Sequence, residues 1–354
     1  MTSEDSKLDR SKVWIERLGL RCFIRIARWT YAGIKLLPVR HKVVFITWDS
    51  DVATLDFQVL ADRLARLPHP PRTVMLCREL RPGLAGWIRY FFHMFHQMYE
   101  MATSEVVVLD AYCVLASVLD HRPTLRVVQL WHALGAFKKF GWSIVNKSEG
   151  WSAQSNIPSR TLSNILRMHH GYSAGVVSYS GAIPMFADAY RCDPAILHVA
   201  WLPRVDALRD DAQCAQMRTR ILAAHPELVG RRIVLYAPTI RRTAMNVGPI
   251  VDLVDEVGRS DWTMVVKPHP VRGERPAAVF SEQTIAVSDF AAMQLLTVAD
   301  AVITDYSAIV YEAYLRGIPV YFYAHDINEY EQARGFYTQP NQFPSKVYIA
   351  PEEL

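Results

Sequence analysis

The sequence predicts an α/β protein of two Rossmann-like domains that face a cleft, preceded by a basic amphipathic helix. Short apolar runs alternate with helical patterns along the chain, and they fall into two groups on either side of a composition change near residues 201–204. Such alternation is typical of parallel sheets built from strand–helix–strand units. We therefore expect an amphipathic segment over residues 1–42, an N-terminal domain over 43–200 and a C-terminal domain over 201–354.

Residues 1–42 carry the basic character of the chain. They contain ten Lys and Arg residues and four acids, a net charge of +6, whereas the whole 354-residue chain has a net charge of only +4. Arg17, Arg21, Arg25 and Arg28 recur at helical spacing with apolar residues between them. The pattern predicts a helix that lies on an anionic membrane surface. A helix packed on the first domain with an arginine-rich exposed face is the alternative.

Ten strands are predicted, five in each domain. In the first domain they cover residues 42–48, 73–77, 105–110, 125–131 and 175–179, and in the second 233–237, 264–267, 285–287, 301–304 and 319–323. Ligands of open parallel sheets bind beyond the carboxyl ends of the strands. Polar residues that directly follow these strands are therefore the candidates for a functional site.

The segment 301–323 has the pattern of a strand, a short turn, a helix and a second strand. We expect Ser307 to cap the helix, whose N-terminus offers unpaired backbone N–H groups and a positive dipole end to a diphosphate. Asp305 lies in the same turn. Glu312 is one turn further along and could accept hydrogen bonds from ribose hydroxyls, although an ordinary surface glutamate fits the spacing equally well. The segment predicts a site for a nucleotide diphosphate.

Four motifs, in this order, resemble those of the CDP-glycerol glycerophosphotransferase family, the enzymes that prime and polymerise teichoic acids. They are QLWHALGAFKKFG at 129–141, VLYAPTIR at 234–241, VVKPHP at 265–270 and ITDYS at 303–307. Shorter likenesses are WLPRVD at 201–206 and RGFY at 334–337. The resemblance covers roughly residues 125–340. It implies a glycosyltransferase-B architecture and no cofactor.

The resemblance also implies substrates. The donor would be CDP-glycerol, and the acceptor a hydroxyl of a glycan linked to polyprenyl diphosphate or of growing polyglycerol phosphate. CMP would be released. The protein would be a peripheral protein at the cytoplasmic face of the cell membrane. Three alternatives remain open: another CDP-polyol, a nucleotide sugar, or a catalytically silent protein that recruits partners to the membrane.

Two histidines are the expected catalytic residues. His132 directly follows a predicted strand, and a histidine with a pKa near neutrality can remove the proton of an acceptor hydroxyl. By resemblance, His269 is the second essential histidine. It lies between two prolines that make the turn rigid, where it would stabilise charge on the departing CMP. The loop from His132 to Lys138 is longer than the corresponding loop in the family pattern. This difference affects the expected acceptor contacts and not the expected base.

Five further residues of the motifs are expected to bind substrate. Lysine ammonium groups suit phosphate oxygens, and a guanidinium can hold a phosphate with two parallel hydrogen bonds. Exposed loop lysines commonly have no specific role, which is the alternative for Lys138 and Lys139. The five are Lys138, Lys139, Thr239, Arg241 and Lys267.

Several classes are not expected. The five cysteines are scattered and never form a Cys-x-x-Cys pair, which indicates a reduced compartment and no cysteine metal site. Neither a signal peptide nor an uncharged apolar run of about 18 residues is present, so export and a membrane-spanning helix are not predicted. We assign no metal to Asp49 and Asp51, and expect no nucleic-acid partner. The aromatic-rich helix over residues 87–99 is expected to pack in the core, with lipid contact as the alternative.

Overall fold

The computed structural model describes residues 3–79, 83–150, 157–239, 248–267 and 284–353. The chain divides into two compact units. The first comprises Met1–His132 and Phe140–Arg204, and the second comprises Ala133–Lys139 and Val205–Leu354. The short segment 133–139 therefore belongs to the second unit, although the residues on either side of it belong to the first.

The first unit contains a six-stranded parallel sheet in the order β2-β1-β3-β4-β5-β6. All six residues of β1 are buried, as expected for an inner strand of a parallel sheet that is covered on both faces. The strands are β1 (Lys42–Thr47), β2 (Arg72–Cys77), β3 (Val106–Leu109), β4 (Arg126–Gln129), β5 (Ala174–Val177) and β6 (Leu197–Val199). The helices are α1 (Ser3–Ile34), α2 (Leu55–Ala65), α3 (Leu84–Ala102), α4 (Val114–Val118), α5 (Ser159–Ile165) and α6 (Ile183–Tyr190).

The second unit contains another six-stranded parallel sheet, in the order β12-β11-β10-β7-β8-β9. Its strands are β7 (Arg232–Tyr236), β8 (Trp262–Val266), β9 (Thr284–Ala286), β10 (Ala301–Thr304), β11 (Val320–Tyr323) and β12 (Val347–Tyr348). Its helices are α7 (Arg204–Arg209), whose first residue belongs to the first unit, α8 (Asp211–Ala224), α9 (Gly248–Gly258), α10 (Ala292–Leu295), α11 (Ile309–Leu315) and α12 (Ile327–Ala333).

Two apolar cores cover the faces of this second sheet. Leu235 and Val302 point into one core, whereas their neighbours Val234 and Ile303 point into the other. Side chains of a strand alternate between faces, so a strand buried on both sides is apolar throughout. This is why the central strands could be located from continuous apolar runs.

All ten predicted strands are present, and the α/β class with two parallel sheets is confirmed. Two edge strands, β6 and β12, were missed. Both are very short, and two of the three residues of β6 are exposed. A short, half-exposed edge strand lacks the apolar run on which the prediction depended.

Helix α1 packs on the first unit along one face and leaves apolar residues on another. Ile24, Ala27 and Tyr31 are buried, and the Tyr31 hydroxyl lies 2.8 Å from Nδ1 of His121. Other apolar side chains of the helix are exposed, Trp29 by 71%. No helix in the described part of the chain is long and apolar enough to span a membrane.

The aromatic residues of α3 correct one expectation. Phe91, Phe92 and Phe95 are exposed by 41%, 68% and 40%, so they are not core residues as predicted. The buried face of α3 instead carries Met98 and Met101. Phe91 lies near Phe23 of α1, with ring centroids 6.3 Å apart, so the exposed apolar residues of the two helices adjoin each other.

Candidate active site

The chain makes a strained turn between β4 and His132. Trp131 has a φ of 64°, a left-handed conformation that bulky residues rarely adopt. The turn is held by Gln129, which is fully buried and accepts a 2.9 Å hydrogen bond from the Trp131 backbone N–H. The Trp131 ring stacks on Phe140 with centroids 4.6 Å apart. Backbone strain of this kind persists only where the surroundings fix it, and it is common at functional sites.

The side chain of His132 is exposed, and its ring is oriented by the neighbouring strand. Nδ1 lies 3.3 Å from the backbone carbonyl oxygen of Asp110, the residue that follows β3. A carbonyl oxygen can only accept a hydrogen bond, so in the neutral ring Nδ1 carries the proton and Nε2 has the lone pair. The Trp131 ring lies 4.2 Å from the imidazole. This is the tautomer that a general base needs when Nε2 faces its substrate.

Two acidic residues follow β1 and β3 at the same edge of the sheet. Burial raises the pKa of Asp110 to about 7, and the nearby negative charge of Asp49 contributes to the increase. Burial likewise raises the pKa of Asp49 to about 6. The Asp110 side chain is only 3% exposed. Both carboxyl groups therefore keep their protons to a higher pH in the folded protein than an exposed aspartate does.

An ion pair also contacts the backbone of His132. Asp56 in the first turn of α2 is 1% exposed and accepts 2.7 Å hydrogen bonds from both the backbone N–H and the Nε of Arg204. Nη2 of Arg204 also contacts the Asp56 carboxylate. Nη1 of Arg204 donates to the carbonyl oxygen of His132 at 3.2 Å. Arg204 lies in the WLPRVD motif, but neither Arg204 nor Asp56 was predicted to have a role.

In the second unit, Asp305 joins the loops that follow β7 and β10. Its Oδ1 accepts hydrogen bonds from the backbone N–H groups of Thr239 at 2.8 Å and of Tyr306 at 2.5 Å. The hydroxyl of Thr304 donates to the carbonyl of Ala237 at 2.7 Å. Asp305 is 4% exposed. Its carboxylate therefore fixes the turn that carries Thr239 at the carboxyl edge of this sheet.

Helix α11 begins next to Ser307. Ala308, which precedes its first residue Ile309, already has a helical backbone. The Ser307 hydroxyl accepts a long, 3.5 Å hydrogen bond from the Ile309 N–H, the contact expected of a capping side chain. Glu312 is 4% exposed, which excludes the alternative of an ordinary surface glutamate.

The segment 133–139 packs on the late RGFY motif. Lys138 pairs with Phe336 as an antiparallel bridge, and the Lys139 N–H donates to the Gly335 carbonyl at 3.0 Å. Nε of Arg334 donates to the Lys139 carbonyl at 2.9 Å. Two motifs that are about 200 residues apart in sequence are thus paired within the second unit.

The side chain of Lys138 lies at the carboxyl edge of the second sheet. Its Nζ donates to the Thr239 hydroxyl at 3.4 Å, which brings two predicted substrate-binding residues together. Lys267 follows β8 and donates to the Ser288 carbonyl at 2.8 Å. Partial burial lowers the pKa of Lys267. Arg241 and His269 lie outside the described residues, so their roles stay predictions.

Sequence reasoning missed the residues that support His132. Gln129 and Arg204 lie in motifs that had been noted, and a polar residue next to a strand end was a usable signal. The same signal applied to Asp110, which ends the predicted strand 105–110. Asp56 carried no such signal, because an acid in the first turn of a helix is common on protein surfaces, and only its burial distinguishes it.

Comparisons with known proteins agree with this architecture. The family described as CDP-glycerol:poly(glycerophosphate) glycerophosphotransferase matches residues 32–354. The solved structure of the wall teichoic acid polymerase TagF superposes with a TM-score of 0.70 at 17% identity, covering 98% of this chain and 86% of that chain. This likeness confirms the predicted fold class, the glycosyltransferase-B architecture.

Curated relatives have similar sequences. The teichoic acid ribitol-phosphate primase of Bacillus spizizenii is 31% identical over 310 residues, 85% of this chain and 78% of the relative. The teichoic acid glycerol-phosphate primase of Bacillus subtilis is 28% identical over 69% of this chain and 61% of its own length. The poly(ribitol-phosphate) polymerase of B. spizizenii is 27% identical, and the chain spans about half of it, 49%. From the family match over nine-tenths of its length, the chain belongs to the CDP-glycerol:poly(glycerophosphate) glycerophosphotransferase family.

Proposed function

We propose that the protein transfers glycerol phosphate from CDP-glycerol to a hydroxyl group of a lipid-linked glycan or polyglycerol phosphate acceptor and releases CMP. The observation that supports this most is the orientation of His132, with Nδ1 on the Asp110 carbonyl and Nε2 as the basic nitrogen. Family membership supplies the donor class. The active site of a phosphotransferase needs such a base next to groups that hold a diphosphate.

His132 would act on the acceptor. Its Nε2 removes the proton of the attacking hydroxyl while the oxygen forms a bond to the phosphorus next to glycerol, and the bond from that phosphorus to the CMP oxygen breaks. The negative charge that develops on CMP requires nearby cations and N–H donors. Lys138 and Thr239 at one strand end are candidates for this role, with Arg241 and His269 from the sequence analysis.

The donor would also contact the turn after β10. The backbone of this turn is fixed by Asp305, and Ser307 precedes the N-terminus of α11. Glu312 is a buried carboxylate on α11 and is the candidate for ribose recognition. Lys139 and Lys267 complete the proposed substrate-binding set.

The test is CMP release from CDP-glycerol in the presence of a lipid-linked disaccharide analogue that bears one phosphoglycerol. General-base help is worth about 10²- to 10⁴-fold in rate, so we expect His132→Ala to lower kcat by that factor while CDP-glycerol still binds. His198→Ala is the matched control, because His198 is an exposed histidine at the sheet edge. Equal kcat values for the two variants would contradict the assignment of the base. Product length separates a primase from a polymerase.

CDP-ribitol is the second candidate donor. The relative with 31% identity is a ribitol-phosphate primase, whereas the glycerol-phosphate primase of B. subtilis is 28% identical. A competition assay with equal concentrations of both donors measures the ratio of their kcat/KM values directly. A ratio that favours CDP-ribitol tenfold or more would mean that CDP-ribitol is the donor, with the same transfer chemistry. No CMP from either donor would favour the silent recruitment role.

We also propose that the protein binds anionic membranes through α1 and α3. The exposed apolar side chains of the two helices adjoin, and α1 adds arginines, the combination that interfacial helices use. Ile26 and Trp29 are exposed by 60% and 71%. We expect Ile26→Asp with Trp29→Asp to abolish sedimentation with anionic vesicles. Val229→Asp, a change at a residue 62% exposed in the second unit, is the control. Unchanged sedimentation of the double variant would rule this surface out.

A further inference from the structure

We propose that Arg204, held by Asp56, is a positioning residue that fixes His132 for catalysis. This inference rests on the proposed function, because it requires His132 to be the base. Arg204 lies 72 residues after His132 in the sequence and donates to its carbonyl oxygen at 3.2 Å. The three residues concerned all lie in the first unit.

The contacts of Arg204 hold its guanidinium group in one orientation. Its backbone N–H and its Nε each donate to a different oxygen of the Asp56 carboxylate, at 2.7 Å. The Asp56 side chain is 1% exposed and that of Arg204 13% exposed. A planar guanidinium bound in this way is a rigid fork, whose remaining nitrogen Nη1 points in a fixed direction. That nitrogen is the one that contacts His132.

The backbone at His132 needs such support. The preceding residue, Trp131, is in the left-handed region and so stores strain that would relax if the turn were not held on both sides. Gln129 holds the turn before Trp131 through its side-chain oxygen. Arg204 holds it afterwards through the carbonyl of His132. The ring contact of Nδ1 with Asp110 is 3.3 Å long and the backbone contact with Arg204 is 3.2 Å long, so the two together determine where the imidazole lies.

The expected effect follows from geometry. A displacement of about 1 Å in a reacting group can lower a rate by about 100-fold. Arg204→Lys keeps a positive charge for Asp56 but loses the planar fork, because an ammonium group is a single point of donation. We expect this variant to lower kcat by about 10- to 100-fold and to leave the KM for CDP-glycerol within about 2-fold.

The decisive measurement is a double-mutant cycle on CMP release. If Arg204 acts through His132, Arg204→Lys lowers kcat in the wild-type background and changes it less than about 2-fold when His132 is already alanine. Asp56→Glu provides an independent variant, since it keeps the ion pair and displaces the guanidinium. Arg316→Lys is the matched control, because Arg316 also donates to one carbonyl and one carboxylate, those of Leu208 and Asp211, in the second unit.

The outcomes separate the two proposals. If His132→Ala leaves kcat unchanged, the base is wrong and the positioning role falls with it. If His132→Ala lowers kcat but Arg204→Lys and Asp56→Glu lower it by the same factor in both backgrounds, the transfer chemistry stands and the positioning role is wrong. A loss of kcat in Arg316→Lys as large as in Arg204→Lys would also overturn the positioning role.

Discussion

The buried carboxyl group of Asp110 makes the stability of the protein depend on pH in a direction that can be worked out. Burial raises its pKa from the ordinary 3.8 to about 7. The folded protein therefore binds this proton more tightly than the unfolded chain does. Stability falls as pH rises from about 4 to about 7, and the full penalty for the ionised form is present above that range. Asp110→Asn removes the titrating group and keeps the shape of the side chain.

The magnitude follows from the size of the shift. About three pKa units at about 1.4 kcal/mol each give an upper value of about 4 kcal/mol for the penalty at about pH 8. Because Asp49 titrates in the same region, the two groups share part of this effect. We expect the free energy of unfolding of Asp110→Asn to exceed that of the wild type by about 2–4 kcal/mol at about pH 8 and to equal it near pH 4.

Urea unfolding at several values between about pH 5 and pH 8 measures this difference. Asp62→Asn on the exposed face of α2 is the control for exchanging an aspartate for an asparagine. A constant difference between Asp110→Asn and the wild type, or one that shrinks as pH rises, would refute the reasoning. Either result would mean that the folded protein does not disfavour the ionised carboxylate of Asp110.

Three further changes test the packing. We expect Gly135→Ala to lower the free energy of unfolding by about 1–3 kcal/mol in thermal unfolding, because a Cβ there would overlap the ring of Tyr311. Asp305→Ala removes the acceptor of two buried backbone N–H groups, at about 1–3 kcal/mol for each, and hydrogen exchange at those two amides should become faster. Lys42→Met removes the lysine partner of the buried Glu100 carboxylate, whose other oxygen lies 3.4 Å from Nε2 of His96, and should cost about 3–5 kcal/mol in urea unfolding, whereas adding Glu100→Leu should restore most of it.

Much of the fold could be predicted because parallel strands buried on both faces are apolar throughout. Strands such as β1 and β10 have every residue buried, and their boundaries were located to within a residue. β6 and β12 lack that signal, since each lies at an edge and has only two or three residues. The pairing of segment 133–139 with the RGFY motif was also not predictable, because it depends on a contact across about 200 residues.

The candidate site likewise has one part that the sequence predicts and another part that it does not. Motif and spacing located His132, Lys138 and Thr239, since each directly follows a strand or lies in a loop of characteristic composition. The conformation of His132 is set by residues that no local pattern connects to it: the side chain of Asp56, the backbone of Asp110 and the guanidinium of Arg204. Short-range periodicity carries no information about such contacts.

The turn at Trp131 shows why the supporting residues matter more than the motif itself. A tryptophan in the left-handed region costs about 1–3 kcal/mol, so an isolated peptide with the same motif would not hold the conformation that the protein imposes. The buried side chain of Gln129 fixes one end of this turn and Arg204 fixes the other. We therefore expect the loss of either support to displace His132 even though the histidine itself is kept.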